Sequence, residues 1–247
     1  MEKTKLLSGN LLKILGCVFM LIDHLGAIIF PEVLFLRIIG RLAYPIFAFA
    51  LSEGCFHTRS RLKHFLLIFI MAILIQVVYV LAMKDYSLSI FLVFSISIIL
   101  IYLYDYIQKT TSDILESEEN SPKRYLLWIL LIFIFLVIIA ATIIFDITTP
   151  YLKASYGFQG VLIPVIVYIT MKLTNRSLPV SLLVMGIALS ASALMRMEYL
   201  NFFGLIAVLL LFLYNGERGK YNLKYFFYIF YPVHLAIIYL IFLLINK

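Results

Sequence analysis

Lys13, Asp23 and His24 lie in a stretch, Lys13–Gly26, that is otherwise apolar enough to sit in a bilayer. Each ionised side chain inside a membrane span costs about 3 kcal/mol or more, so such residues mark a functional site by default. An imidazole in that setting suits general-base catalysis or proton relay. At about 100° per residue, the eleven steps from Lys13 to His24 return to nearly the same helix face. At about 1.5 Å per residue they separate the two by roughly 16 Å. Gly16 or Cys17, with Met20, completes that face. A long thin ligand could lie along it, its anionic end at Lys13 and its reactive end at His24. The plainer alternative is that Lys13 snorkels to the headgroups.

Asp23 and His24 are adjacent, so they point about 100° apart and cannot form a base–orienter pair by helix geometry alone. Asp23 needs a partner from another span. Arg37 and Arg41, four residues apart on one face, are the candidates, and an ion pair there would hold spans one and two together. Pro45 follows, able to kink the second span and open a cavity beside Arg41. That span ends in Glu53, and His57, Arg59, Arg61 and Lys63 come next. This run is either ordinary basic anchoring or a phosphate-binding rim, since guanidinium matches phosphate geometry. Gln76, Arg196 and Glu198 read as isolated polar residues. His234 sits beside Pro232 in the last span, and two histidines at different depths in the first and last spans could flank one cavity.

These residues need helices that cross a membrane. The chain has 247 residues, 64% of them hydrophobic and 13% charged, with a mean hydropathy of +1.06. Soluble domains are about half apolar and a quarter charged, so the expectation is an all-α polytopic membrane protein. A barrel is excluded because the apolar runs are long and do not alternate. With about 20 residues per span, nine spans are predicted: 10–30, 33–54, 64–83, 88–107, 125–145, 157–173, 179–196, 199–214 and 225–245. They form a single domain over 1–247. Residues 108–124 read as a polar connector carrying Asp113, Glu116, Glu118 and Glu119.

The net charge of +7 fits the positive-inside rule better than nucleic-acid binding. Of twenty basic residues, Lys13, Arg37 and Arg41 lie in or beside spans. If the N-terminus is cytoplasmic, the other seventeen divide thirteen inside to four outside, the four being Lys84, Lys153, Arg196 and Lys247. The N-terminus is therefore predicted inside and the C-terminus outside. Cys17 and Cys55 suggest neither disulfide nor metal site, and the first apolar run reads as a span rather than a cleaved signal.

Leu21–Gly26, Arg37–Phe49 and Glu53–Arg59 resemble the TraX family of bacterial membrane acetyltransferases. So do Ser155–Val161, Tyr214–Gly219 and Tyr225–Leu235. The resemblance covers most of the chain; Gln76 stands where an acid is common in the family. It implies a bacterial plasma-membrane enzyme that moves acetyl from acetyl-CoA, its co-substrate, to an acceptor, which for the namesake is a pilin N-terminal amine. It also implies a distant likeness to other multi-span acyltransferases that use an intramembrane histidine. On this reading His24 is the general base, with Asp23 and Arg41 completing the catalytic group. Lys13, His57, Arg59, Arg61 and Lys63 meet the donor. Arg37, Tyr44, Glu53, Tyr231 and His234 meet a peptide or envelope-associated acceptor. The alternatives are a proton-coupled carrier using the same charged residues, or a family member that has lost catalysis and acts as a binding protein.

Overall fold

The computed structural model describes residues 6–84, 86–117, 121–149 and 156–245. Lys3, Lys5, Lys153 and Lys247 of the charge count, with Glu118, Glu119 and Ser155, lie outside them. Among the described residues the regular structure is all helical apart from isolated bridges, with turns and loops between the helices. Ten α-helices follow in order: α1 Gly9–Ile28, α2 Leu34–Gly40, α3 Ala43–His57, α4 Arg61–Val78, α5 Ile90–Glu116, α6 Pro122–Thr148, α7 Gly157–Leu173, α8 Leu178–Met195, α9 Gly204–Leu211 and α10 Lys224–Ile245. A π turn, Tyr79–Met83, and a 3-10 turn, Tyr199–Phe203, join them. Among the described residues, seven helical stretches are long and apolar enough to cross a membrane, while Gly157–Leu173 and Tyr199–Leu211 are shorter apolar helices. This is a multi-pass membrane protein.

Two differences from the sequence reading have local causes. The second span is not one kinked helix but two, α2 and α3, broken at Arg41–Leu42. Pro45 has no N–H for the Arg41 carbonyl four residues back, and its ring crowds that carbonyl. The space beside the break is filled rather than open: a Cβ on Gly204 would meet Pro45 Cγ at 3.2 Å and the Arg41 carbonyl at 3.4 Å. The connector predicted over 108–124 is mostly helix. α5 runs on to Glu116, and Trp128 Nε1 of α6 donates to Thr111 Oγ1 at 2.8 Å. Loss of hydropathy ends a membrane span but does not end a helix whose residues still favour one.

The chain forms two compact units, Met1–Glu53 with Thr170–Lys247, and Gly54–Ile169. In the first, α1 and α2 pack as a tight antiparallel pair. A Cβ on Gly26 would come 2.7 Å from Leu36 Cβ, and one on Gly40 would overlap the Asp23 carboxylate. Small residues permit this approach where lipid supplies no hydrophobic drive between helices. The segment before α10 is clamped to the start of α1. Leu7 pairs with Tyr214, Gly9 N donates to Glu217 O at 2.7 Å, and Asn10 Nδ2 donates to Tyr221 O. Gly219, at φ +100°, lies so close to Ser8 that a Cβ there would stand 2.8 Å from its Oγ. α1 and α10 therefore begin at the same end and run parallel.

In the second unit, Gln76 holds the α4–α5 connection. Its Nε2 donates to Ser87 O at 2.9 Å, and its Oε1 accepts from the Ser89 backbone N–H at 3.0 Å, at the first turn of α5. An amide can do both at once, which a carboxylate cannot. Ser97 Oγ donates to Val161 O at 2.9 Å, joining α5 to α7. Only Leu131 of α6 is buried, so nearly all of this apolar helix is left to lipid.

Candidate active site

α1 and the α2–α3 segment build an ion cluster. Asp23 Oδ2 lies 2.9 Å from Arg37 Nη1, which also donates to the Asp23 backbone carbonyl at 3.0 Å. Asp23 Oδ1 stands 3.6 Å from Arg41 Nη2 and, though buried, makes no hydrogen bond among the described residues. Both arginines expected from their spacing thus meet the one carboxylate. Arg37 holds it tightly and Arg41 loosely, because the helix break carries Arg41 onto the turn between α2 and α3. Gly40 supplies the room for Asp23.

His24 points away from this cluster, as its adjacency to Asp23 requires. Its Nδ1 lies 2.9 Å from the Met20 carbonyl, one turn back. The same Nδ1 lies 3.1 Å from His234 Nε2 on α10. The two histidines, expected at different depths around one cavity, are instead in contact. Because α1 and α10 run parallel from a common end, residues fifteen from the start of one and ten from the start of the other reach each other. The His234 Nδ1 lies 2.8 Å from the Phe230 carbonyl, and the Phe230 ring stacks on the imidazole at 4.8 Å. Tyr231 sets its ring edge-on to both histidines, 6.0 Å from His24 and 5.3 Å from His234. Lys13 Nζ sits 5.7 Å over the Phe227 ring, also on α10. The face on which spacing put Lys13 and His24 together is the face that α1 turns to α10.

Other residues expected near the chemistry have different surroundings. Tyr44 is buried at the first turn of α3. Glu53 Oε1 accepts from Arg176 Nη2 at 2.6 Å and from the Tyr214 hydroxyl at 3.1 Å. These three, with Phe49, Met171 and Gly216, line a cleft of about 290 Å³ within the first unit. His57, Arg59, Arg61 and Lys63 belong to the second unit and are exposed. Arg61 has a partner there that spacing does not suggest. Its Nη2 lies 2.6 Å from Asp105 Oδ2, and the Tyr168 hydroxyl lies 2.9 and 2.8 Å from the two Asp105 oxygens. His64 Nδ1 meets the Tyr102 hydroxyl at 2.7 Å in the same unit. Arg196 and Glu198, read as isolated, pair at 3.1 Å, and Asn201 donates to Glu198 at 2.7 Å.

Asp105 carries a signal in the sequence: it is an acid within the predicted span 88–107, costly for the same reason as Asp23. Arg176 and Tyr214 carry none, being 123 and 161 residues from Glu53.

A family profile described as TraX protein matches residues 8–242. The chain belongs to the TraX family. The matched stretch takes in every member of the ion cluster and the histidine pair. A curated relative, Uncharacterized protein RP591 of Rickettsia prowazekii (strain Madrid E), is 50% identical over 40 residues, which is 16% of this chain and 16% of the relative. No solved structure matches the chain.

Proposed function

We propose that this TraX-family chain is an acyltransferase of the bacterial plasma membrane, moving acetyl from acetyl-CoA to an amine or hydroxyl acceptor, with a peptide N-terminus as the leading class. The observation that carries the reading is the contact of His24 with His234 beside the Asp23–Arg37–Arg41 cluster, all within one compact unit. Such a group of polar side chains has to be assembled against the cost of inserting it in lipid. It supplies the two things acyl transfer needs: a base for the acceptor proton, and positive charge near the developing oxyanion. His24 is the base. Arg41, 3.6 Å from Asp23 Oδ1, is the cation assigned to the oxyanion, and Arg37, with two contacts to Asp23, fixes the carboxylate. Tyr231 and His234 shape the space around the base.

In the same unit, Lys13 and Arg176 supply positive charge for the donor's phosphates. Arg59 and Lys63, exposed at the start of the second unit, form a separate candidate rim. The parallel course of α1 and α10 supports an odd number of crossings, in line with nine spans, the N-terminus inside and the C-terminus outside. Reporter fusions after Lys247 and within 108–124 test this: a cytoplasmic signal at Lys247 removes the outward C-terminus.

The test of the chemistry is transfer of labelled acetyl from acetyl-CoA by purified protein to a peptide amine. The His24→Ala variant is expected to fold and to bind donor, with transfer reduced by at least the ~10²-fold of a lost general base. Transfer at the parental rate by His24→Ala would remove His24 from the role. Absence of donor binding or hydrolysis by the parent protein would favour a carrier instead.

A further inference from the structure

The hydrogen-bond partners of the two imidazoles fix where their protons lie. A carbonyl oxygen only accepts. His234 Nδ1, 2.8 Å from the Phe230 carbonyl, must therefore carry a hydrogen. In the neutral ring that leaves His234 Nε2 with a lone pair. His24 Nδ1 faces two groups, the Met20 carbonyl at 2.9 Å and His234 Nε2 at 3.1 Å. Both are acceptors, so His24 Nδ1 carries a hydrogen shared between them. The reverse assignment would set a lone pair on His24 Nδ1 against that of the Met20 carbonyl, and, for His234 Nε2 to donate instead, a lone pair on His234 Nδ1 against that of the Phe230 carbonyl. The lone pair of the His24 ring is thereby confined to Nε2.

We propose that His234 is the positioning residue of the base: its Nε2 accepts from His24 Nδ1–H, holds that tautomer, and so keeps His24 Nε2 ready to take the acceptor's proton. The inference rests on the reading of His24 as general base. The step balances as follows. The acceptor's N–H or O–H proton passes to His24 Nε2 as its nitrogen or oxygen bonds to the thioester carbonyl carbon. When the carbon–sulfur bond breaks, the proton is returned to the leaving thiolate. Between these events His24 is an imidazolium whose Nδ1–H bonds strengthen, because charge-assisted hydrogen bonds are the stronger ones.

His234 does here, as a neutral ring, what a carboxylate does in a Ser-His-Asp triad. The carboxylate that is nearby, Asp23, is bound to Arg37 and Arg41. Arg37, Arg41 and Tyr231 are the other polar groups around the pair. A neutral partner avoids fixing a negative charge against the base. Packing holds both rings in this arrangement. His234 is 4% exposed, Phe230 stacks on it with planes 16° apart, and Tyr231 stands edge-on to both.

The test has a spectroscopic and a kinetic arm. Nitrogen-15 spectra of histidine-labelled parent protein in detergent or bilayers should show His24 protonated at Nδ1 and bare at Nε2. In His234→Ala only one of the two acceptors at Nδ1, the Met20 carbonyl, is left, so the hold on that tautomer weakens and the Nε2–H population of His24 should rise. The kcat of transfer should fall about tenfold or more, within the range that acid–base catalysis supplies, while the KM for acetyl-CoA holds. His234→Gln, whose side-chain carbonyl can accept from His24 Nδ1–H, should recover most of that loss. A parent spectrum with His24 protonated at Nε2 overturns the proposal, and this arm needs no variant to fold. So does a His234→Ala variant with parental kcat and an unshifted His24 tautomer, or a His234→Gln variant as slow as His234→Ala. Parental transfer by His24→Ala would instead strike the general-base reading and leave the tautomer assignment standing.

Discussion

Two carboxylates within helices, the half-buried Asp23 and the buried Asp105, are each paired with arginine, and they are finished differently. Asp105 is closed. Its Oδ2 takes Arg61 at 2.6 Å and both its oxygens lie within 2.9 Å of the Tyr168 hydroxyl. Asp23 is left open. Oδ2 is bound by Arg37 at 2.9 Å, but Oδ1 is only within 3.6 Å of Arg41. The residue after Asp23 is a histidine in contact with a second histidine; Asp105 is followed by Tyr106, which is exposed. A fully satisfied ion pair clamps helices, whereas a partly satisfied one beside a pair of histidines has capacity left for a ligand. The difference is what favours the first cluster over the second as the proposed site.

The largest expected effect breaks the closed cluster. Asp105→Ala leaves Arg61 and Tyr168 without their shared acceptor, and loss of one partner of a buried pair costs about 3–5 kcal/mol. Because the Arg61 side chain is 53% exposed, the lower end, about 3 kcal/mol, is expected. Thermal melting in detergent should drop, with transfer per folded molecule retained. If transfer were lost while melting stayed the same, Asp105 would have to be moved from clamp to site.

Asp23→Asn should act on both quantities. It leaves two arginines facing an uncharged amide, so the melt should fall, and transfer should fall with it by about 10²-fold as the site loses its fixed geometry. An Asp23→Asn protein that melts early but transfers normally would make Asp23 a clamp like Asp105 and erase the contrast.

Gly40→Ala probes the same site without touching a charge. The added methyl overlaps Asp23, and overpacking of this kind costs about 1–3 kcal/mol. Melting should fall modestly, and transfer should decline more than in a Gly186→Ala control, where a Cβ meets only Leu205 at 3.9 Å. Equal activity in the two variants would show that Asp23's placement does not govern the chemistry.

The smallest effect on stability is expected from replacing Arg59 and Lys63 together with glutamine. Both are exposed, so the melt should hardly move. Isothermal titration with acetyl-CoA then decides their role. Weaker binding, strongest at low salt, assigns them to the donor's phosphates; unchanged binding returns them to membrane anchoring and leaves Lys13 and Arg176 as the donor's cations.

Hydropathy alone settled the protein's class, the approximate place of its helices and the shared face of Lys13 and His24. Those are properties of consecutive residues: apolar length, and a turn every 3.6 residues. The family could be read too, since runs such as Leu21–Gly26 and Tyr225–Leu235 are contiguous. The sequence also offered Arg37 and Arg41 to Asp23, because the pairing needs only two neighbouring spans. It could not bring His24 to His234, 210 residues away, or Arg176 and Tyr214 to Glu53. Nor could it distinguish the closed Asp105 from the open Asp23. In lipid almost every face of every span is apolar, so hydropathy does not say which face meets which neighbour. That choice was made by close packing at Gly26, Gly40 and Gly204, by the break that Pro45 imposes at Arg41, and by the clamp of residues 214–221 on the start of α1 that sets α10 parallel to it.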